Sequence, residues 1–343
     1  MAATMQDVAT LAGVSVKTVS NVVNDYPYVR PETRERVMSA IAELGYQLNA
    51  SARNLRRGRT GLIGLALPML SLPYFAELAE SVIAAAEERG LVVVIEQTGD
   101  DRGREMDALH GSRRTVTDGL IFSPLALGPE DEHLLPTRPP LVLLGERVFS
   151  DRVDHVTMRN TEAAKAATEH LLSVGRRRIA VVGVHPGEKV GSAALRVTGY
   201  EQALREAGIA LDPALYGTAG PWGRAAGAQA LAQILDAGAV PDAVFGLNDT
   251  LAIGAMHELQ TRGLRVPEDV AIIGFDDIEE AQYSAPTLTS VHFGRDDIAR
   301  SAVDLLEARI TGAAGAPRRV DAAFQISVRA STGGAGGRAS VPT

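Results

Sequence analysis

The segment Thr4-Met5-Gln6-Asp7-Val8-Ala9-Thr10-Leu11-Ala12-Gly13-Val14-Ser15-Val16-Lys17-Thr18-Val19-Ser20-Asn21-Val22-Val23-Asn24 leaves the start of this chain one local architecture, two short helices joined by a tight turn. Thr4 followed three residues later by Asp7 is a capping box, and Val8, Leu11 and Ala12 follow at helical spacing. Gly13 supplies the left-handed backbone of a sharp helix exit, and Ser15 is placed to cap the second helix. That helix buries Val19, Val22 and Val23 and turns Val16, Lys17, Ser20 and Asn21 outward. Short and polar side chains near a helix N-terminus are what a recognition helix offers to base edges in the major groove.

The chain has 343 residues, too many for one core and enough for two or three domains. It has no apolar run of membrane-spanning length, and Met1-Ala2-Ala3-Thr4 leads into the first helix without a basic and apolar leader, so the expected place is the cytoplasm. The absence of cysteine excludes disulfides and thiolate metal sites, the seven histidines lack paired ligand spacing, and no cofactor is expected. The net charge of -8 divides unevenly. Residues 1–60 hold eight Lys and Arg against five Asp and Glu, a balance of +3, which leaves -11 for the remainder. A basic head on an acidic body fits counterion release at phosphates by the head alone.

A third helix is expected from about Pro31 to Leu44, with Val37, Ile41 and Leu44 closing a small core and Gly45 ending it; Arg30 is a poor cap for its start. Residues 48–60 form a hinge whose one large apolar residue, Leu55, is flanked by Arg53, Arg56 and Arg57. A helix there buries little by itself, and pairing with its copy in a dimer on DNA supplies the missing contacts. Two Leu55 side chains could then wedge between base steps of the minor groove, with Ala52 allowing close approach and Arg53 and Arg56 on phosphates. From Gly61 onward, short apolar runs alternate with amphipathic segments, which implies parallel sheets in doubly wound units. Their number suits two lobes, with crossings near Asn160, Val291 and Val320. Ser331 to Thr343 is rich in Gly, Ala and Ser and reads as a disordered tail.

The head pattern continues through Pro31-Glu32-Thr33-Arg34-Glu35-Arg36-Val37, Ala42-Glu43-Leu44-Gly45-Tyr46, Asn49-Ala50-Ser51-Ala52-Arg53-Asn54-Leu55-Arg56-Arg57 and Leu62-Ile63-Gly64-Leu65, and in this it resembles the LacI/GalR family of bacterial transcriptional regulators. The resemblance implies an N-terminal all-α helix-turn-helix domain over 1–47, the hinge over 48–60, and an α/β body over 61–330. The body is then periplasmic-binding-protein-like, two doubly wound parallel-sheet lobes, one of 61–159 plus 292–318 and the other of 160–290 plus 320–330. It places Val16, Lys17 and Asn21 where operator sequence is set, and Thr18 and Ser20 at phosphates or base edges. Thr4, Ser15, Asn24, Tyr46 and Asn49 complete the expected DNA contacts.

In the body, Ser192-Ala193-Ala194-Leu195-Arg196 resembles the family segment in which an arginine, here Arg196, reaches ligand hydroxyls with Ser192 nearby. Asp276 stands where an aspartate accepts from a sugar diol, Asn248 where an amide meets the same ligand, and Trp222 where an aromatic platform lies under a sugar ring. Tyr74, Phe75 and Phe293 are expected to close the other lobe. In Leu143-Leu144-Gly145-Glu146 the family often has an aspartate where this chain has glycine, which puts a carboxylate contact from that loop in doubt.

The combined reading is a homodimeric, sugar-released repressor of carbohydrate-utilisation genes on a palindromic operator. A regulator that needs a purine or another metabolite as corepressor runs the same cycle with opposite sign. A transport-type sugar-binding protein is a reading of another class, disfavoured by the attached head. Doubly wound lobes also host enzymes, but the sequence has no G-x-G-x-x-G after the first strand, no Walker loop and no nucleophile elbow.

Overall fold

The computed structural model describes residues 3–23, 26–46, 59–333 and 337–339 and divides into two compact units, 1–61 and 62–343. The first unit holds α1 (Met5–Ala12), α2 (Val16–Val23) and α3 (Pro31–Glu43). Their shared core consists of Val8, Ala9, Ala12, Val19, Val22, Val37 and Ala40, with Ile41 and Leu44 packed against it. Leu11 departs from the expected stripe: it is 46% exposed, and Ala9 takes the inner position. An eight-residue helix wedged between two others buries whichever neighbours face both of them, and here those are Val8, Ala9 and Ala12. Arg30 makes no side-chain cap on α3, as its chemistry dictates.

The second unit contains two sheets. One runs β11-β5-β4-β3-β1-β2, built from β1 (Leu62–Leu67), β2 (Val92–Gln97), β3 (Gly119–Phe122), β4 (Leu141–Leu144), β5 (Asp154–Met158) and β11 (Arg319–Ala322). Every pairing in it is parallel. Strands covered by helices on both faces are apolar throughout, which is why Leu-Ile-Gly-Leu-Ala-Leu forms β1 and is almost wholly buried. The other sheet runs β13-β12-β10-β9-β8-β6-β7, from β6 (Ile179–Val184), β7 (Tyr216–Thr218), β8 (Ala243–Gly246), β9 (Ala271–Phe275), β10 (Thr289–Phe293), β12 (Phe324–Val328) and β13 (Gly337–Ala339). Here β12 pairs antiparallel with both β10 and β13, and the other pairings are parallel.

Helices α4 (Pro73–Glu87), α5 (Arg102–His110) and α11 (Arg295–Ile310) belong to the first lobe. The second carries α6 (Asn160–Ser173), α7 (Ser192–Glu206), α8 (Arg224–Asp236), α9 (Asp249–Thr261) and the short α10 (Glu279–Tyr283). Helices α8 and α9 pack closely because Gly227 and Gly254 face each other's backbone, where a methyl group would overlap main-chain atoms of Leu251 and Arg224.

The chain changes lobes three times. After β5 it enters α6 close to the expected Asn160. The other two crossings come later than expected, around Gly294 and Ala323, so Val291 lies inside β10 of the second sheet and Val320 inside β11 of the first. The expected loose tail also starts too early at Ser331. Ser331 is fully buried, donates to the Ile272 carbonyl at 2.6 Å and accepts from Thr289 N at 2.8 Å; Thr332 is buried beside it, bonded to His170 and Thr289.

Candidate DNA head and effector cleft

The head is set by two local caps. Thr4 accepts from Asp7 N, and the Asp7 carboxylate accepts from both Thr4 N and the Thr4 hydroxyl at 2.8 and 2.6 Å, bonds that hold its carboxyl below the usual range. Gly13 sits at φ +62 and sends its N–H back to α1. Ser15 Oγ accepts from Thr18 N at 3.1 Å and bonds the Thr18 hydroxyl at 2.9 Å. These bonds fix where α2 begins, with Lys17 exposed and Val16, Thr18, Ser20 and Asn21 partly so. Tyr46 is half-buried against the head's own core. Asn24, Asn49, Ala52, Arg53, Leu55 and Arg56 lie outside the described residues.

In a doubly wound sheet, ligands gather beyond the carboxyl ends of the strands where the strand order reverses. That point lies between β1 and β3 in one lobe and between β6 and β8 in the other. The loops leaving those strands face a single cleft of about 490 Å³ between the lobes. Tyr74, Phe75, Ser192, Arg196, Trp222, Asn248 and Asp276 all line it. Phe293 does not. It is 1% exposed, and its ring packs against Phe275 and Phe324 in the second lobe's core, because β10 pairs within that sheet rather than turning toward the cleft.

Arg196 is the organising residue of the second lobe's wall. It rises from α7, is 4% exposed, donates from Nε to Asn160 at 2.7 Å and from one terminal nitrogen to the Leu247 carbonyl, and meets Asp276 at 3.5 Å. Its guanidinium stacks 3.6 Å from the Phe275 ring centroid. Asp276 follows β9 at φ +104, a conformation rare for a residue with a Cβ. Its backbone is pinned by Asp276 N donating to the Val291 carbonyl and by Arg295 donating to the Asp276 and Asp277 carbonyls at 2.6 and 3.0 Å. Burial pushes its carboxyl up to about 6, against the pull of Arg196 and Arg295. Asn248 caps α9: its Oδ1 accepts from Leu251 N and the Thr250 hydroxyl, which leaves the amide NH₂ as donor toward the cleft. Trp222 donates Nε1–H to the Gly183 carbonyl at 2.9 Å, so a backbone bond fixes its ring at the cleft edge.

The other wall brings Tyr74, whose phenol is pushed well up by burial and therefore keeps its proton as a donor. It also brings a carboxylate that the sequence reading set aside. Gly145 adopts φ +85, a turn that suits glycine, and the next residue, Glu146, is carried into the cleft, 4% exposed. Glu146 accepts from the Thr157 hydroxyl, Met158 N and, across the cleft, the Ser192 hydroxyl at 3.0 Å. At the mouth, Arg147 meets Glu188 at 3.4 Å and donates to the Val190 carbonyl. Glu188 also bonds His185 at 2.7 Å, holding that imidazole above its ordinary pKa. Glu146, Arg147, His185 and Glu188 were absent from the sequence-based set; only a loop conformation brings them together. Among the described residues, no group of His, Asp and Glu is arranged to hold a metal, and no helix is long and apolar enough to cross a membrane.

A helix-turn-helix head carried by a two-lobed α/β body with a cleft at both switch points defines a DNA-binding transcriptional regulator. The model of bacterial regulatory proteins of the lacI family matches residues 4–49, and that of the periplasmic binding protein-like domain matches residues 168–332. The chain belongs to the lacI family. It is 34% identical over 311 residues to the ribose operon repressor of Escherichia coli (strain K12), covering 90% of this chain and 93% of that one. Among solved structures, it resembles a transcriptional regulator of LacI family from Sanguibacter keddieii DSM 10542, with 50% identity, 81% of this chain and all of the other covered, and a TM-score of 0.74. It also resembles the Lac repressor dimer bound to operator and the anti-inducer ONPF, with 29% identity, 97% and 99% covered, and a TM-score of 0.81. These relatives are transcriptional regulators rather than enzymes.

Proposed function

We propose that the chain is a cytoplasmic, homodimeric repressor of carbohydrate-utilisation genes, without enzymatic activity, that leaves a palindromic operator when a neutral sugar enters the cleft. The charge inventory of the cleft carries this reading. Arg147, Arg196 and His185 are each paired with Glu188 or Asp276, while the Glu146 carboxylate meets only neutral donors. No unpaired cation among the described lining residues awaits an anion. Carboxylate and amide groups around an aromatic edge suit adjacent hydroxyls and a C–H face. Similarity to a ribose operon repressor agrees with this.

Dimerisation is supported by β2, an edge strand that leaves Val92, Val94 and Ile95 exposed. In the head, Val16, Lys17 and Asn21 would read bases and Thr18 and Ser20 would contact phosphates or base edges, with residues 48–60 as hinge and Leu55 as minor-groove wedge. Ligand would act through unequal affinity for two arrangements of the body. Thermal unfolding of the full chain against sugars, sugar phosphates and purines tests the reading, since a ligand at 100 times its Kd stabilises the fold by about 2.7 kcal/mol. A neutral sugar as the stabilising compound supports it; stabilisation by purines alone replaces it with corepression.

A further inference from the structure

The turn that carries Asp276 is held by both lobes, which divide its backbone between them. Asp276 and Asp277 follow β9 at φ +104 and +51, two successive left-handed residues that have side chains. Such conformations persist only where their surroundings fix them. The second lobe takes the first N–H groups: Asp276 N donates to the Val291 carbonyl, Asp277 N to Ser290 Oγ at 3.0 Å, and Ile278 N to buried Asp249 at 2.9 Å. The first lobe takes the rest. Arg295, at the start of α11, donates to the Asp276 and Asp277 carbonyls at 2.6 and 3.0 Å, and Glu77 of α4 accepts from Glu279 N at 2.9 Å.

Glu77 and Arg295 act as one unit, half-buried and joined at 2.6 Å. A planar guanidinium with a carboxylate on one nitrogen and two carbonyls on another has its direction fixed. Neither residue lines the cleft. Tyr74, one turn earlier on α4, does, so the same helix lines one wall and bonds the turn that brings the carboxylate of the other. Charge reaches Asp276 by the same route. Its carboxyl is drawn down by Arg196 and Arg295 and pushed up by Glu77 and Glu146, with Asp249 and Tyr74 also facing it; Glu279 and Glu280 face Glu77.

Taking Asp276 as an effector contact, as the sugar reading has it, we propose that Glu77 and Arg295 are positioning residues for the effector: an ion pair of the first lobe that holds the Asp276 turn of the second. Effector binding then depends on a contact between the lobes that lies outside the cleft.

The test is calorimetric titration of the full chain from pH 5 to 8, with whichever of ribose, glucose, galactose, xylose and arabinose the wild type binds. Glu77→Gln and Arg295→Gln should each lower affinity on the high-pH plateau by about tenfold or more, the scale of one lost charge-assisted hydrogen bond. They should also move the pH midpoint of affinity in opposite directions, Arg295→Gln upward and Glu77→Gln downward. Arg295→Lys, which keeps the charge without the planar fork, should lose plateau affinity and hold the midpoint near that of the wild type. Ser81→Ala removes a 2.7 Å bond to Asp296 between the same two helices and should change neither. Carboxyl-carbon NMR of the ligand-free chain labelled with carbon-13 aspartate, its Asp276 signal assigned through Asp276→Asn, should show the same opposite shifts. Plateau affinities equal to that of the wild type overturn the proposal, even if urea unfolding shows a loss of stability, and so does an Asp276 midpoint indifferent to both glutamine variants. If no sugar in the panel binds, the sugar reading falls, and the NMR midpoints alone decide whether the pair holds Asp276.

Discussion

Asp276 concentrates the chemistry of the cleft in one side chain. Its backbone is held at φ +104, and burial raises its carboxyl to about 6. A sugar diol would donate to the ionised form, so affinity is nearly full from about one pH unit above that value, is halved at it and declines further below it. Between pH 7 and 5 the sugar's association constant should drop by about tenfold, the loss of ionised fraction for such a carboxyl. Calorimetry at the two pH values checks this, and an unchanged constant would remove Asp276 from the contact set. Arg196→Ala strips Asp276 of its buried partner, so it should destabilise the body by about 3 kcal/mol or more in urea unfolding and abolish the ligand response. Much of this set was legible in the sequence because the segments that carry Arg196, Asn248 and Asp276 resemble those of the lacI family. Glu146 was not, because the turn at Gly145 decides which residue of that loop faces the cleft, and backbone sign is not written in residue type.

Among the elements, the head was readable almost residue by residue, since its caps are local. Thr4 with Asp7, Gly13, and Ser15 with Thr18 all close bonds within a few residues. Ser15→Ala should cost the head about 1 kcal/mol, seen as a lower midpoint for its helical signal, with DNA affinity falling in step; an unchanged midpoint would mean that α2 does not depend on this cap. The late lobe crossings and the early tail were misread for the opposite reason. β10 and β11 are fixed by partners far away in sequence, and Ser331 is held by Ile272 and Thr289 across the sheet, so a polar composition there signalled bonding rather than looseness.

At the scale of the whole molecule, the proposed function requires two copies of the chain to act together on one palindromic site. Replacing Val92 and Val94 with lysine should yield monomers in sedimentation analysis and lower affinity for a palindromic site, because the edge strand that carries them would then repel its copy. Leu55→Ala should weaken specific DNA binding while leaving sugar affinity untouched; retained specific binding would remove the wedge. The fold class was legible at this scale, since alternating apolar and amphipathic segments admit few architectures. The measurement that decides the account is fluorescence anisotropy of the full chain on a palindromic site selected from randomised DNA, with and without saturating sugar ligand, for the wild type and Arg196→Ala. The wild type should lose about 5- to 150-fold in DNA affinity when the ligand is added, the range of ordinary allosteric coupling, and Arg196→Ala should bind DNA equally well with and without it. Unchanged wild-type affinity in the presence of a bound sugar would contradict the claim that this cleft controls the head.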